Sequence, residues 1–226
     1  MGRELQRLSR AEPEEAAPAE RVAEESERAL PARVEAVVIG VSAGAVHALG
    51  ELLPDLPAET PFPVIVVCHL PPGQPSLLAS LFSRRCALRV LEPADKEPVA
   101  PGIWFAPPDY HLLVEQTGVF SLSLDEPVNH SRPSIDVLFE SAADAWGDRL
   151  LAIVLTGAND DGSLGARAVR AAGGHVIVQD PLTAEVASMP LFAIERAQPH
   201  WIAPLAQIAE ALKRAALAPP PQEAEP

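Results

Sequence analysis

Cysteine, aromatic residues and positive charge are all scarce in this chain, and each shortage removes a class of protein. Only two cysteines, Cys68 and Cys86, occur in 226 residues. Two isolated thiols do not make a disulfide framework, and no cysteine and histidine spacing resembles a zinc site. Aromatics make up 4% of the chain, so Val, Leu, Ile and Ala must fill the core, and a hydrophobic share of 48% is ample for that. The formal net charge of -14 leaves no basic surplus to neutralise phosphates, which argues against a nucleic-acid partner. No apolar run reaches the roughly 20 residues that span a bilayer. The Glu- and Arg-rich start has no apolar segment of the kind a signal peptide needs. The expectation is a cytoplasmic protein with no direct membrane insertion.

The chain divides by composition. Residues 1–33 read as a charged extension, disordered or partly helical. Residues 216–226, with Pro219-Pro220-Pro221, read as a Pro-rich tail. Residues 34–215 have the size of one domain. Strands are expected at 34–40, 63–68, 150–155 and 175–179. Helices are expected near 44–53, 75–85, 134–146, 162–172, 189–197 and 204–215, with Ser134 as an N-cap and Gly173-Gly174 as a stop. Extended segments near 88–92, 103–106, 111–115 and 119–123 lie between Pro and Gly turns and read as an antiparallel insert. Continuous apolar strands alternating with helices imply a three-layer αβα sandwich, with a mostly parallel, doubly wound sheet.

Chemistry enters at Gly40-Val41-Ser42-Ala43-Gly44, which follows the apolar run Val37-Val38-Ile39. A serine between glycines at a strand-to-helix turn is the geometry of a nucleophile elbow. The same turn would also suit a phosphate at a helix N-terminus. A dinucleotide site, however, wants glycine where Ser42 stands and an acidic residue after the next strand. That strand, 63–68, ends instead in His69. Ligands in such folds bind beyond the carboxyl ends of the strands. Ser42, His69 and the group Asn159, Asp160 and Asp161 all fall at that edge, and together they offer a nucleophile, a base and an acid.

These residues also carry a family resemblance. Ile39-Gly40-Val41-Ser42-Ala43-Gly44, Cys68-His69-Leu70-Pro71-Pro72-Gly73 and Leu155-Thr156-Gly157-Ala158-Asn159-Asp160-Asp161-Gly162 resemble the active-site segments of the chemotaxis protein-glutamate methylesterase family, CheB. The stretch from Pro101 to Leu112, the run Arg132-Pro133-Ser134-Ile135-Asp136-Val137-Leu138-Phe139, and the pairs Gln179-Asp180 and Met189-Pro190 are similar to further family segments. The likeness covers about residues 34 to 212. It implies a serine hydrolase that removes methyl groups from glutamyl methyl esters on chemoreceptor signalling helices, releasing methanol, and in some members deamidates glutamines. Ser42 then matches the nucleophile, His69 the general base and Asp161 the acid, with Asp160 as its neighbour. Ala43, Gly44, Gly157 and Ala158 become candidates for the oxyanion pocket, and Arg132, Ser134 and Met189 for its lining. No metal or organic cofactor is implied. Methylated receptor helices are the expected partners, alongside other chemosensory proteins.

The chain departs from the family pattern at Ala43-Gly44-Ala45, at Ala158-Asn159 and at Leu70. The family's usual receiver domain has no counterpart in residues 1–33. Two rival readings follow: an inactive interaction protein of the same fold, and a hydrolase for another ester. Arg84, Arg85 and Arg89 form the compact basic group of the domain. They read as a solvated face or as a docking patch for acidic helices. His47, His111, His175 and His200 read as structural or surface residues, and His130, in a loop beside Arg132, reads as a surface residue or as one that reaches the cleft.

Overall fold

The computed structural model describes residues 30–70, 73 and 76–218. The readings made for residues 1–29, for Pro71, Pro72, Gln74 and Pro75, and for the tail from 219 to 226 lie outside the described residues. The elements in chain order are β1 (Ala36–Val41), α1 (Ala45–Leu52), β2 (Pro63–Cys68), α2 (Leu78–Phe82), β3 (Val90–Leu91), β4 (Gly102–Phe105), β5 (His111–Val114) and β6 (Phe120–Ser123). They continue with α3 (Ile135–Trp146), a 3-10 turn at Gly147–Arg149, β7 (Leu150–Val154), α4 (Ser163–Ala171), β8 (His175–Gln179), α5 (Ser188–Ala197), β9 (Trp201–Ala203) and α6 (Leu205–Leu217).

Seven strands form one sheet in the order β3-β4-β2-β1-β7-β8-β9, and every pairing in it is parallel. Strands β1, β2, β4 and β7 are buried along their whole length, as their unbroken apolar runs require of a sheet covered on both faces. Side chains alternate between the layers. Val37, Ile39 and Val41 pack with Leu49 and Leu52 of α1 and with Ile208 and Leu212 of α6. Ala36 and Val38 pack on the other side with Leu138 and Phe139 of α3, Val169 of α4 and Ala193 of α5. This is the expected three-layer sandwich.

Two expectations are corrected. The segments near 88–92 and 103–106 are not part of an antiparallel insert: they are β3 and β4, and they extend the parallel sheet. Gly102, Ile103, Trp104 and Phe105 are all buried, the signature of an interior parallel strand rather than of a half-exposed hairpin. The insert is the two-stranded β5-β6 hairpin alone. It packs on the sheet through Phe120, whose ring lies 4.9 Å from that of Trp104. The helix near 75–85 contracts to α2, where Leu78 and Phe82, one turn apart, are the buried pair, while Leu77 and Leu81 face solvent. The short strand β9 was not expected.

The path of the chain locates the functional edge. From β1 it moves to β2 on one side, and it returns later to β7, β8 and β9 on the other side of β1. The order in which the chain adds strands therefore reverses between β1 and β7, and such a switch point opens a crevice beyond the carboxyl ends of the strands. Helix α3 reaches that crevice by lying close against β1. A Cβ built on Gly40 would stand 2.4 Å from Ile135 Cγ2, and one on Gly162 would stand 2.7 Å from the same atom. Two glycines thus make the slot for Ile135, the first residue of α3. Gly40→Ala should therefore overpack this slot and destabilise the fold by about 1–3 kcal/mol. Urea unfolding of Gly40→Ala with and without Ile135→Ala checks this, the second change recovering part of the loss of the first.

Candidate functional site

Ser42 is the first residue past β1. Its backbone N–H donates to Thr156 O at 2.9 Å, and its carbonyl accepts from Ala45 N–H at 3.0 Å, which closes a tight turn into α1. Gly44 has φ 83, the left-handed region that glycine enters without steric penalty. Thr156, beyond β7, ties the elbow down. Its hydroxyl donates to Ala43 O at 2.9 Å and accepts from Val186 N–H at 2.9 Å.

His69 is the first residue past β2. Strands β1 and β2 are in register with Val41 opposite Cys68, so Ser42 and His69 leave neighbouring strands at the same level, with strand spacing of about 4.8 Å. His69 N–H donates to Val41 O at 3.2 Å, which continues the ladder one residue beyond the sheet. The ring is 13% exposed, and its Nε2 lies 2.8 Å from Asp161 Oδ2, whose side chain is fully buried.

The carboxylate of Asp161 collects donors from three directions. Oδ2 takes His69 Nε2 and the Ile135 backbone N–H at 2.7 Å. Oδ1 takes the Ser134 hydroxyl at 2.8 Å, the Asp136 N–H at 3.1 Å and the Asn129 side-chain amide at 3.1 Å. Two of these donors are open backbone N–H groups in the first turn of α3, where the helix dipole favours an anion. Burial alone would push the Asp161 carboxyl up. The bonds from His69, Ile135 and Ser134 outweigh burial and lower its pKa below the usual value. Ser134 stands at the N-cap position as expected, but its hydroxyl makes no capping bond and serves Asp161 instead.

Ser134 and His111 form a second serine–histidine pair beside the same aspartate. Both are buried, at 0% and 1% exposure. His111 Nδ1 accepts the backbone N–H of Ser134 at 3.2 Å rather than its hydroxyl, and Nε2 donates to Glu126 O at 3.1 Å. Its ring therefore has no lone pair free to take the Ser134 proton. Ser42 and His69, by contrast, are only partly buried.

The other expected residues divide. Gly157 walls the pocket: a Cβ there would lie 1.9 Å from Met189 Sδ and 3.0 Å from Ser42 Cβ. Its N–H is already committed to Val186 O at 3.0 Å, and its carbonyl accepts Met189 N–H at 2.9 Å. Met189 is buried and lies against this wall, whereas Ala158 is exposed at the edge. Arg132 does not reach the carboxylates. Its Nη1 donates to Leu124 O and Asp125 O, both at 3.0 Å, and so fastens the loop before α3. Asp160 pairs instead with Arg196 at 2.8 Å and takes the Ser163 hydroxyl on its carbonyl. Gln179 of the Gln179-Asp180 pair accepts Thr156 N–H at 2.9 Å and supports the loop behind Ser42.

Two residues of the site were missed by sequence reasoning. Asn129 and Asp136 bond each other at 2.8 Å, and Asp136 Oδ1 also accepts Gly165 N–H at 2.6 Å. Burial raises the Asp136 carboxyl from 3.8 to about 6, with the charges of Asp161 and Glu140 adding and the bonds from Gly165 and Asn129 opposing. A signal for Asp136 was present, as an acid in the first turn of a helix whose apolar neighbours are buried.

A groove of about 600 Å³ runs from Gly44 along α1, lined by Val46, His47, Gly50, Glu51, Arg85 and Glu185. A cleft of about 770 Å³ lies at the opposite, amino-terminal end of the strands, between Glu35, Pro63, Trp146 and Arg214, far from the serine and histidine. Among the described residues no helix is long and apolar enough to cross a membrane, and no group of three or more His, Cys, Asp or Glu is placed to hold a metal ion.

Residues 37–212 match the family model of the CheB methylesterase. The chain belongs to the CheB methylesterase family. It is 44% identical over 177 residues to a Leptospira interrogans protein named for protein-glutamate methylesterase and protein-glutamine glutaminase, a match covering 78% of this chain and 92% of the relative. It is 39% identical over 187 residues to the enzyme so named in Symbiobacterium thermophilum, covering 82% of this chain but 51% of that longer protein. Among solved structures, the CheB methylesterase catalytic domain of Thermotoga maritima superposes with a TM-score of 0.76 at 36% identity, covering 80% of this chain and 98% of that one. CheB family membership thus agrees with the fold and with the serine, histidine and aspartate gathered at its switch point.

The raised pKa of Asp136 has a consequence for stability. The native state holds its proton up to about pH 6, whereas an unfolded aspartate releases it near 3.9. The protonated group therefore favours the fold fully below about pH 4, and that contribution is lost as the pH rises through 6. Asp136→Asn should gain on the wild type by about 1–3 kcal/mol between pH 4 and pH 7. Urea unfolding of both proteins across that range measures the difference.

Proposed function

We propose that this chain is a protein-glutamate methylesterase that hydrolyses glutamyl methyl esters on cytoplasmic chemoreceptor helices. The observation that carries the reading is the bond between His69 and the buried Asp161, 2.8 Å long, with His69 set one strand away from the elbow serine Ser42 at the same level of the sheet. The relatives named for this activity support it.

Ser42 Oγ attacks the ester carbonyl. Because Nε2 of His69 is bonded to Asp161, the proton goes to the other ring nitrogen, Nδ1. Asp161 fixes that tautomer and stabilises the imidazolium that forms. Charge collects on the carbonyl oxygen of the tetrahedral intermediate, and backbone N–H groups aimed at it stabilise it. The N–H groups of Ala43 and Ala158 are assigned this role, since that of Gly157 is already bonded. Collapse of the intermediate expels methanol, which takes the proton from His69. Water activated by the same imidazole then cleaves the glutamyl–serine ester and leaves a free carboxylate. A glutamine side chain would follow the same path with ammonia as the leaving group, in line with the glutaminase part of the relatives' names. The groove from Gly44 past Arg85 is the assigned path of the receptor helix, with Arg85 facing acidic residues on it.

Ser42→Ala should abolish methanol release from a methylated receptor while the fold persists, because its partly exposed hydroxyl makes no bond among the described residues that holds the fold. A loss of about 10⁶-fold is the scale for a nucleophile acting within a triad, and near-normal turnover by a folded variant would reject the assignment. Asp161→Asn should cost up to about 10⁴-fold, far more than Asp160→Asn. Steady-state kinetics on the purified variants rank the two, and the opposite order would move the acid to Asp160.

A further inference from the structure

We propose that Asn129 and Asp136 are positioning residues for the triad acid: Asp136 aims the Asn129 amide, and that amide holds Asp161 so that Oδ2 stays directed at His69. The inference rests on the reading of Ser42, His69 and Asp161 as a triad. Three observations carry it. One nitrogen, Asn129 Nδ2, bonds both Asp136 Oδ2 at 2.8 Å and Asp161 Oδ1 at 3.1 Å. An amide NH₂ has two hydrogens, so it can serve two carboxylates at once, one with each. Both carboxylates belong to buried residues, at 3% and 1% exposure, where like charges repel strongly and a shared donor is worth most. Asn129 itself holds a left-handed backbone, φ 50, in the turn closed by the Val128–Ser131 bridge. Asparagine tolerates that region better than most residues.

The amide therefore lies between two acids that would otherwise face each other. Other groups bear on the same assembly. Glu140 lies one turn along α3 from Asp136, His69 stands beyond Asp161, and His111 bonds the Ser134 backbone on the far side. Of the donors on Asp161 Oδ1, Ser134 and the Asp136 N–H are built into the start of α3, whereas Asn129 reaches in from a loop. It holds that direction because Asp136 anchors its other hydrogen. Removing it leaves Asp161 less stabilised as an anion, which raises the pH at which Asp161 takes up a proton and releases its hold on the imidazole.

The test compares Asn129→Ala and Asn129→Asp with wild type and Ser42→Ala, using a peptide carrying a glutamyl γ-methyl ester and a methanol assay. Each variant is checked for folding by circular dichroism, and the low-field proton of the His69 N–H bonded to Asp161 is followed by NMR against pH. Positioning by hydrogen bonds predicts that Asn129→Ala lowers kcat by about 10- to 100-fold, the scale of one charge-assisted bond, with KM within about twofold. The acid limb of the rate profile and the titration of the low-field proton should both move to higher pH. Asn129→Asp, nearly the same shape, should be at least as damaging, because it sets a third carboxyl between the two. A folded Asn129→Asp with wild-type kcat and an unmoved acid limb would overturn the proposal in favour of simple packing. If Ser42→Ala matched wild type, the triad reading would fail instead. The proton titration in the Asn129 variants would then still show whether Asn129 governs the His69–Asp161 pair.

Discussion

A buried carboxylate must be surrounded by donors, and in this protein that demand, at Asp161, organises the site. An isolated anion inside an apolar core costs several kcal/mol or more. The chain meets the cost by bringing α3 end-on to the loop after β7, so that its first backbone N–H groups point at Asp161. The two glycines that accommodate Ile135, Gly40 and Gly162, are the steric condition for that approach. Larger residues there would push the helix start away from the carboxylate. The core packing of α3 and the electrostatics of the site are thus one arrangement seen from two sides.

The sheet supplies the other half. Ser42 and His69 need no long-range coincidence to meet, since parallel register places the residues after Val41 and Cys68 side by side. Asp161 arrives from the strand on the opposite flank of β1, across the switch point. Ser42 and His69 thus come directly off two adjacent strand ends, while Asp161 lies on the loop that follows the third. The longer arm, from Val154 to Asp161, is held by Thr156, whose hydroxyl and carbonyl tie it to the elbow at Ala43 and Ser42.

Much of this was legible in the amino-acid order. Unbroken apolar runs disclosed the parallel strands, and the glycines around Ser42 disclosed the elbow. Where the reading failed, the cause was physical. Strand β4 lies among Pro and Gly turns, which made its neighbourhood look like hairpins. Only its complete burial shows it to be interior, and burial depends on what covers it. Leu77 and Leu81 are apolar yet exposed, so composition overstated α2. Ser134 occupies a cap position that local pattern finds, but the preference of its hydroxyl for Asp161 is set by a contact 27 residues away. Asn129 and Asp136 escaped notice for the same reason: a polar residue in a loop and an acid in a first turn have ordinary local explanations.

The pairing of Asp136 with Asp161 is poor economy if stability alone is considered. Two carboxyls in one buried cluster repel, and a raised Asp136 pKa means that ionising it near neutral pH works against folding. An apolar pair of the same volume would often be at least as stable. What the acidic pair supplies is direction. Asp136 orders Gly165 at the start of α4 and Asn129 in the preceding loop, and Asn129 in turn bonds Asp161, the partner of His69. On the proposed triad, the stability forgone goes to holding one imidazole nitrogen in place, the property on which transfer of the Ser42 proton would depend.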